Sequence, residues 1–173
     1  MNSKNLKNMV AETLIYEYKD NYFIIQRSTQ GKAFNETSPS ENAALYSKLS
    51  INCSSEQLGK DARGAIENYN KIRPQWEPWE LEILNKNFCK WVGAKGRKSF
   101  DRDSRCVQII KTDKLEIIPF DNCIKNEWYG PMLRDMGFKN KIITINIESD
   151  YKNIGENIKK AFTVATYNKE RKM

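Results

Sequence analysis

Histidine is absent from the 173 residues of this chain. Without imidazole the chain has no Ser–His or Cys–His catalytic pair, no histidine general base and no Cys/His zinc site. Cysteine is scarce as well, with four residues at positions 53, 89, 106 and 123, and no two of them form a Cys-x-x-Cys pair. Cysteines spaced in this way are typical of small buried apolar side chains in a reducing compartment. We therefore predict no metal site, no cofactor and no enzymatic activity.

Long apolar runs are also missing. No segment approaches the roughly 20 apolar residues that span a bilayer. The N-terminal stretch MNSKNLKNMVAETLIYEY has neither a long apolar core nor a small-residue cleavage site. We therefore predict a cytoplasmic protein that makes no membrane contact. The hydrophobic fraction of 39% and the charged fraction of 29% are ordinary for a globular protein, and the length predicts a single domain over residues 1–173.

Positive charge predominates, but its distribution is uneven. The net charge is +7 and the pI is near 9.2, a balance that attracts nucleic acid or an acidic partner. Residues 34–83 contain five basic and eight acidic residues, a net of −3, so the rest of the chain carries +10. The basic excess is strongest in residues 86–98 and 169–172.

The segment at residues 141–165 predicts a β-strand, a capped turn and an α-helix. Isoleucines alternate with polar residues over positions 143–147, which is the two-residue period of a half-buried strand. Asp150 is placed to cap the helix, because its carboxylate can accept the free N–H groups of the first turn. The apolar residues that follow recur at helical spacing and form one face: Ile154, Ile158, Ala161, Phe162 and Ala165.

Residues 45–69 have the same layout, 96 positions earlier in the chain. The apolar runs at residues 13–25 and 106–118 also match each other, with an offset of 93. We therefore predict an internal repeat, about residues 10–72 and 98–166, in which each copy runs hairpin, loop, strand and helix. The paired positions in the strand–helix units are Ser54 with Asp150, Leu58-Gly59 with Ile154-Gly155, and Ala65-Ile66 with Ala161-Phe162.

A bridging segment lies between the two halves. Residues 78–92 predict a helix that begins at Pro78 and ends before Gly93. Residues 95–105 alternate irregularly and predict an edge strand or a loop, and an edge strand would permit two copies to pair. The basic residues of this region, with Trp91 or Phe100 to stack bases, are a candidate nucleic-acid site. In the competing interpretation, Trp91 packs in the core and residues 95–105 form a salt-bridged surface segment. The basic residues are Lys90, Lys95, Arg97, Lys98, Arg102 and Arg105.

Two segments that precede the closing strands lack a regular pattern, residues 28–42 and 121–140. The second contains Trp128 and Tyr129. Aromatic side chains at loop tips commonly anchor protein interfaces, because they bury much area at a low cost in rotamer entropy. The alternative is a loop folded back onto the sheet with Trp128 as its plug.

The run from Trp91 to Phe162 resembles the immunity proteins of contact-dependent growth inhibition systems, the CdiI family. The motifs that carry the resemblance are structural and not catalytic. The first motif is the Phe-Cys-Lys-Trp-Val-Gly helix with the following Gly96–Phe100, and the second is the hairpin through Cys106–Ile109 and Glu116–Pro119. A long loop is the third motif. The fourth is the closing strand–turn–helix, which contains Asn153-Ile154-Gly155 and Lys160-Ala161-Phe162.

The resemblance implies an α+β, Whirly-like fold of two four-stranded antiparallel sheets, each followed by a helix. In this chain the two sheets would be the pseudo-repeated units, joined by the bridging helix. It also implies a cytoplasmic inhibitor without enzymatic activity, which neutralises the C-terminal domain of one cognate toxin, such as a tRNase, and does not require nucleic acid. Three arrangements are compatible with the basic net charge. Either the toxin is acidic, or the acidic patch at residues 34–83 faces a basic toxin, or the contact depends mainly on shape.

We take the candidate toxin contacts from the two irregular segments: Glu36, Glu41, Glu127, Trp128 and Tyr129. The sequence leaves the oligomeric state open, with a dimer as one possibility. The alternative function is binding of single-stranded nucleic acid, which the net charge favours. Its signature would be an affinity that falls steeply as the salt concentration rises.

Overall fold

A computed structural model of the chain describes residues 11–27, 43–68, 87–121, 130–131 and 141–167. The strands in these ranges are β1 (Ala11–Tyr18), β2 (Asn21–Arg27), β3 (Ala43–Ser50), β4 (Arg105–Lys111), β5 (Lys114–Asp121), β6 (Gly130–Pro131) and β7 (Ile143–Asn146). The helices are α1 (Ser55–Glu67), α2 (residues 87–92), α3 (Arg97–Asp103) and α4 (Tyr151–Phe162). Among the helices in these ranges, none combines the length and the apolar character needed to cross a membrane.

The strands form one antiparallel sheet. Its order is β3-β2-β1-β4-β5, with β7 beside the first half of β5 and β6 beside its last two residues. The α+β class and the antiparallel pairing are therefore confirmed. The prediction of two separate four-stranded sheets is wrong for the described strands, because β1 pairs with β4 from Ala11↔Lys111 to Glu17↔Arg105 and joins the two halves.

The first hairpin joins β1 to β2 through a two-residue turn. The turn residues Lys19 and Asp20 have φ values of 47° and 60°, and a two-residue turn with both φ values positive matches the twist of its strands. The Nζ of Lys19 donates to the carbonyl oxygen of Gly93 at 2.7 Å. Gly93 has a φ of 68° and follows the end of α2, which confirms the predicted helix stop.

The two long helices begin at the predicted caps. The Ser54 hydroxyl accepts the N–H of Gln57 at 3.1 Å, and the Asp150 carboxylate accepts the N–H of Asn153 at 2.7 Å. The predicted apolar faces are buried against the sheet. The strand before the second cap is shorter than predicted, since β7 ends at Asn146 and Ile147 lies in the turn.

α1 and α4 lie side by side on one face of the sheet, and their backbones meet at two glycines. A Cβ atom on Gly59 would lie 1.8 Å from the carbonyl oxygen of Tyr151. A Cβ atom on Gly155 would lie 1.8 Å from the carbonyl oxygen of Ser55. The crossing therefore requires glycine at both positions, which allows the apolar faces of both helices to reach the sheet.

α2 and α3 lie on the opposite face of the sheet. Residues 97–103 form a helix, so the predicted edge strand or loop is wrong, and with it the edge strand that would pair two copies. Phe100 holds α3 in place: its side chain is 0% exposed and packs 5.1 Å from the ring of Tyr16 and 4.9 Å from that of Phe88. Because only one residue of this short helix is buried, its sequence shows no helical periodicity.

Candidate functional site

The predicted toxin contacts lie outside the described residues: Glu36, Glu41, Glu127, Trp128 and Tyr129. The ends of the strands show where the two segments that contain them attach. β2 ends at Arg27, at the end of the sheet where β1 begins. β5 runs in the same direction as β1 and ends at Asp121, at the other end of the sheet. The two segments therefore leave the sheet at opposite ends.

Two arginines of the candidate nucleic-acid site around α3 are held in ion pairs with neighbouring aspartates. Arg97 pairs with Asp101 at 2.8 Å, and Arg102 pairs with Asp103 at 2.7 Å. Burial raises the pKa of the Asp101 carboxyl, against the lowering effect of Arg97. Phe100 is buried and so is not available to stack a base. The interpretation as a salt-bridged segment is confirmed, and in the described ranges no three Cys, Asp or Glu side chains group closely enough to hold a metal ion.

A buried ionic cluster ties β1 and β4 to the end of α4. The Glu17 side chain is 7% exposed and receives hydrogen bonds from one nitrogen of Arg105 to both of its oxygens, each at 2.7 Å. Another Arg105 nitrogen donates to the carbonyl oxygen of Phe162 at 2.7 Å, and the Tyr167 hydroxyl donates to Glu17 at 2.8 Å. Burial, with the nearby Glu17 charge, raises the pKa of Tyr22 to about 12. The cluster fixes the segment after α4 to the sheet.

Sequence reasoning missed this cluster. Glu17 and Arg105 lie 88 positions apart, and Glu17 and Tyr167 lie 150 positions apart. Neither separation falls within a repeat offset or a helical turn, so only the β1–β4 pairing brings the groups together. The one available signal is the position of Glu17 between two tyrosines, Tyr16 and Tyr18, in the same strand.

A cleft opens between the C-terminal half of α1 and the β5–β7 edge of the sheet. Its volume is about 150 Å³. We call it the α1–β5 cleft. Its apolar lining is Ile66, Leu115, Ile147 and Ile154, and its charged lining is Arg63, Glu67, Lys111 and Glu148.

Arg63 builds one wall of the α1–β5 cleft. One of its terminal nitrogens donates to the carbonyl oxygens of Ile147 and, at 3.1 Å, of Ser149. Its guanidinium also lies over the ring of Tyr151, 5.9 Å from the ring centre. Tyr151 is 41% exposed. Arg63 thus fixes the β7–α4 turn against α1 and places an exposed tyrosine beside the cleft.

The size and composition of the α1–β5 cleft suit a protein side chain. Small-molecule sites usually enclose about 300–1,000 Å³, whereas a cavity of about 150 Å³ holds a group the size of benzene. Tyrosine and arginine are the residue types that dominate binding energy in protein interfaces. This surface is therefore a candidate contact site for a protein partner, and sequence reasoning did not single it out.

The sequence matches no family model and no curated protein. The solved structures that share its fold include the following two. One is a protein of unknown function from Neisseria meningitidis, with a TM-score of 0.67 and 15% identity, covering 92% of this chain and 98% of that chain. The other is a chain of the CdiA-CT/CdiI toxin and immunity complex from Yersinia pseudotuberculosis, with a TM-score of 0.66 and 16% identity, covering 91% of this chain and 98% of that chain. At these identities the likeness is one of fold, and it spans nearly the whole length of each chain.

Proposed function

We propose that this protein is an immunity protein, which binds a toxin domain and blocks its activity. The observation that carries the proposal is the fold shared over 91% of the chain with a chain of a toxin and immunity complex. The immunity protein is the relevant component, because residues 91–162 resemble the CdiI family in sequence. A fold does not fix a function by itself, so we rely on the two likenesses together.

We further propose that the protein acts in the cytoplasm as one domain and has no catalytic activity of its own. Its target is then the C-terminal domain of a contact-dependent growth inhibition toxin, such as a tRNase. Inhibition of this kind needs contact alone, so surface shape and charge carry the function. Nucleic acid is not required for binding.

We also infer that the two halves, about residues 10–72 and 98–166, are copies of one hairpin–strand–helix unit, the pseudo-repeat of a Whirly-like fold, here with the two copies joined in one sheet through β1 and β4. Two pairs of contacts support this inference. The glycine crossing is repeated with both partners shifted by 96 positions. Arg63 donates to the Ser149 carbonyl at 3.1 Å, and Lys159 donates to the Cys53 carbonyl at 2.6 Å, again with a shift of 96. In an experimental structure, a superposition of the halves that fails to bring Gly59 onto Gly155 would contradict it.

A co-expression experiment tests the immunity function. The toxin domain encoded by the reading frame immediately upstream is induced in a bacterial host, with and without this protein. We expect growth arrest without the protein and normal growth with it, while an unrelated toxin stays lethal in both cases. The purified toxin is then assayed for tRNA cleavage at increasing concentrations of the protein. Death of the host despite soluble co-expression would refute the proposal.

Binding of single-stranded nucleic acid is the second candidate, favoured by the net charge of +7. We rank it lower because Arg97 and Arg102 are held in ion pairs and Phe100 is buried. Fluorescence anisotropy with a labelled oligonucleotide across a salt series tests it. An affinity that falls steeply with salt would support this function, and no binding at low salt would eliminate it.

A further inference from the structure

Resting on the proposed function, we infer that the outer surface of α2 and α3 binds an acidic patch of the toxin. We call residues 87–103 the α2–α3 surface. Three observations lead to this inference. The exposed charges of the surface are all positive, its two carboxylates are already held by arginines, and its backbone is fixed to the sheet.

The charge of the α2–α3 surface is positive and accessible. Its charged residues are five basic and two acidic, a net of +3. The half-buried carboxylates of Asp101 and Asp103 pair with Arg97 and Arg102, at 2.8 and 2.7 Å. The charged residues that are exposed are all cations: Lys90, Lys95, Lys98 and Arg102.

The two helices on the opposite face of the sheet carry no such excess. The turn residues Lys19 and Asp20, which lie beside α2, cancel each other as well. An acidic partner is therefore attracted to the α2–α3 side, by a field that acts before contact is made. The exposed charged residues of α1 and α4 are three glutamates and three lysines, whose charges cancel: Glu56, Glu67, Glu156, Lys60, Lys152 and Lys160.

The lysines of the α2–α3 surface are available to a partner. Lys90, Lys95 and Lys98 form no ion pair within the ranges that the structure describes. The backbone that carries them is anchored, because Phe100 is buried in the core and Lys19 donates to a carbonyl oxygen at the end of α2 at 2.7 Å. Binding would then order side chains only, which lowers its entropic cost.

The arrangement favours separate carboxylates over the phosphates of nucleic acid. Arginine is the residue suited to bidentate phosphate contacts, and both arginines of this surface hold aspartates. Phe100 is buried and cannot stack a base, which is the second contact that single strands use. The carboxylates of Asp101 and Asp103 would also repel a continuous run of phosphates. A folded protein can place its own carboxylates opposite the lysines alone.

This contact would lie outside the substrate groove of a nuclease toxin. A protein that binds nucleic acid lines its groove with cations, which the lysines of the inhibitor would repel. The α2–α3 surface would therefore bind another, acidic part of the toxin. The inhibitor then does not imitate nucleic acid at this contact, which agrees with its basic net charge.

Two triple variants test the inference, with an inactivated form of the toxin domain as the probe. Both variants remove three positive charges, so a difference between them depends on where the lysines lie. Stopped-flow fluorescence gives the association rate and isothermal titration calorimetry gives the affinity, each at low and at high salt. The surface variant is Lys90→Gln/Lys95→Gln/Lys98→Gln. The matched control, on α1 and α4, is Lys60→Gln/Lys152→Gln/Lys160→Gln.

We expect the surface variant to bind the toxin about tenfold more weakly at low salt, mostly through slower association. The control should bind within about twofold of the wild type. The difference between the surface variant and the wild type should shrink at high salt, because salt screens exposed charges.

The outcomes separate this inference from the proposed function. If the wild-type protein does not bind the toxin, both fall. If it binds, and the surface variant binds as tightly as the control, the inference about the α2–α3 surface alone is overturned. A labelled single-stranded oligonucleotide is the second probe. If the surface variant loses binding to the oligonucleotide and keeps its affinity for the toxin, the surface is a nucleic-acid site and the inference is again overturned.

Discussion

Replacing Gly59 with alanine should push apart the two helices that cover the sheet. The new Cβ would lie 1.8 Å from the Tyr151 carbonyl oxygen, whereas ordinary contact begins at 3.4 Å. Because that oxygen belongs to the backbone, no change of rotamer relieves the clash, and α1 and α4 must separate by about 1.6 Å. The buried side chains of α4, Ile154 and Ile158 among them, would then lose part of their contact with the sheet.

The size of the effect follows from that separation. A gap of about 0.5–1 Å already removes a quarter to a half of the dispersion energy of an atom pair. Overpacked cores typically lose about 1–3 kcal/mol, and here several large side chains are displaced together. Alanine regains about 1 kcal/mol over glycine through helix propensity. We therefore expect Gly59→Ala to lower the free energy of unfolding by about 3 kcal/mol.

Gly64→Ala is the matched control on the same helix. A Cβ at Gly64 would lie 2.2 Å from the hydroxyl of Tyr46, the far end of a side chain that is 37% exposed. That ring can rotate into solvent, so this variant should unfold within about 1 kcal/mol of the wild type. Urea denaturation followed by circular dichroism measures both. Equal stabilities for Gly59→Ala and the wild type, or equal losses for the two variants, would refute the steric reasoning.

Three further predictions concern stability. Glu17→Gln should cost about 3–5 kcal/mol in urea denaturation, because it leaves the guanidinium of Arg105 without its buried carboxylate; an unchanged midpoint would contradict a structural role for the pair. Burial raises the pKa of Tyr22 in the folded protein from its ordinary value of 10.0 to about 12. Its contribution to stability is therefore complete below pH 10 and is lost as the pH rises from about 10 to about 12. Tyr22→Phe should remove that alkaline loss in a pH series of unfolding measurements, and an identical loss in the variant would exclude Tyr22 as its source. Asp150→Ala should cost about 1 kcal/mol through the lost cap, and a variant as stable as the wild type would show that the cap is dispensable.

Local features of the fold could be predicted from the sequence because their determinants lie a few residues apart. The caps at Ser54 and Asp150 act over three residues, and the helical faces repeat within each turn. The short helix α3 escaped prediction for the opposite reason. Its single buried residue, Phe100, contacts strands far away in the sequence and leaves no periodic trace.

The joining of the two halves into one sheet depends on pairing between β1 and β4, which no periodicity records. The same pairing places Arg105 beside Glu17.

The α1–β5 cleft, in contrast, left a signal in the sequence. Once the offsets are known, the occurrence of Leu115 and Ile66 at the positions equivalent to Tyr22 and Phe162 marks the contact between α1 and β5 as the one in which packing is incomplete. Identifying that difference required comparing the sizes of paired residues, beyond matching their apolar character.

The central place of β1 has a consequence for synthesis on the ribosome. Of the strands that the structure describes, β1 is made first, but one of its edges pairs with β4, whose residues follow about 90 positions later. At about 5–20 residues per second, that edge waits roughly 5–20 seconds for its partner. An open strand edge is a template for aggregation, so the nascent first half is exposed to this hazard until β4 is made. Until Arg105 is made, the Glu17 carboxylate has no cation to pair with, so its burial is unfavourable. The first half is therefore disfavoured from packing on its own before the second half is available.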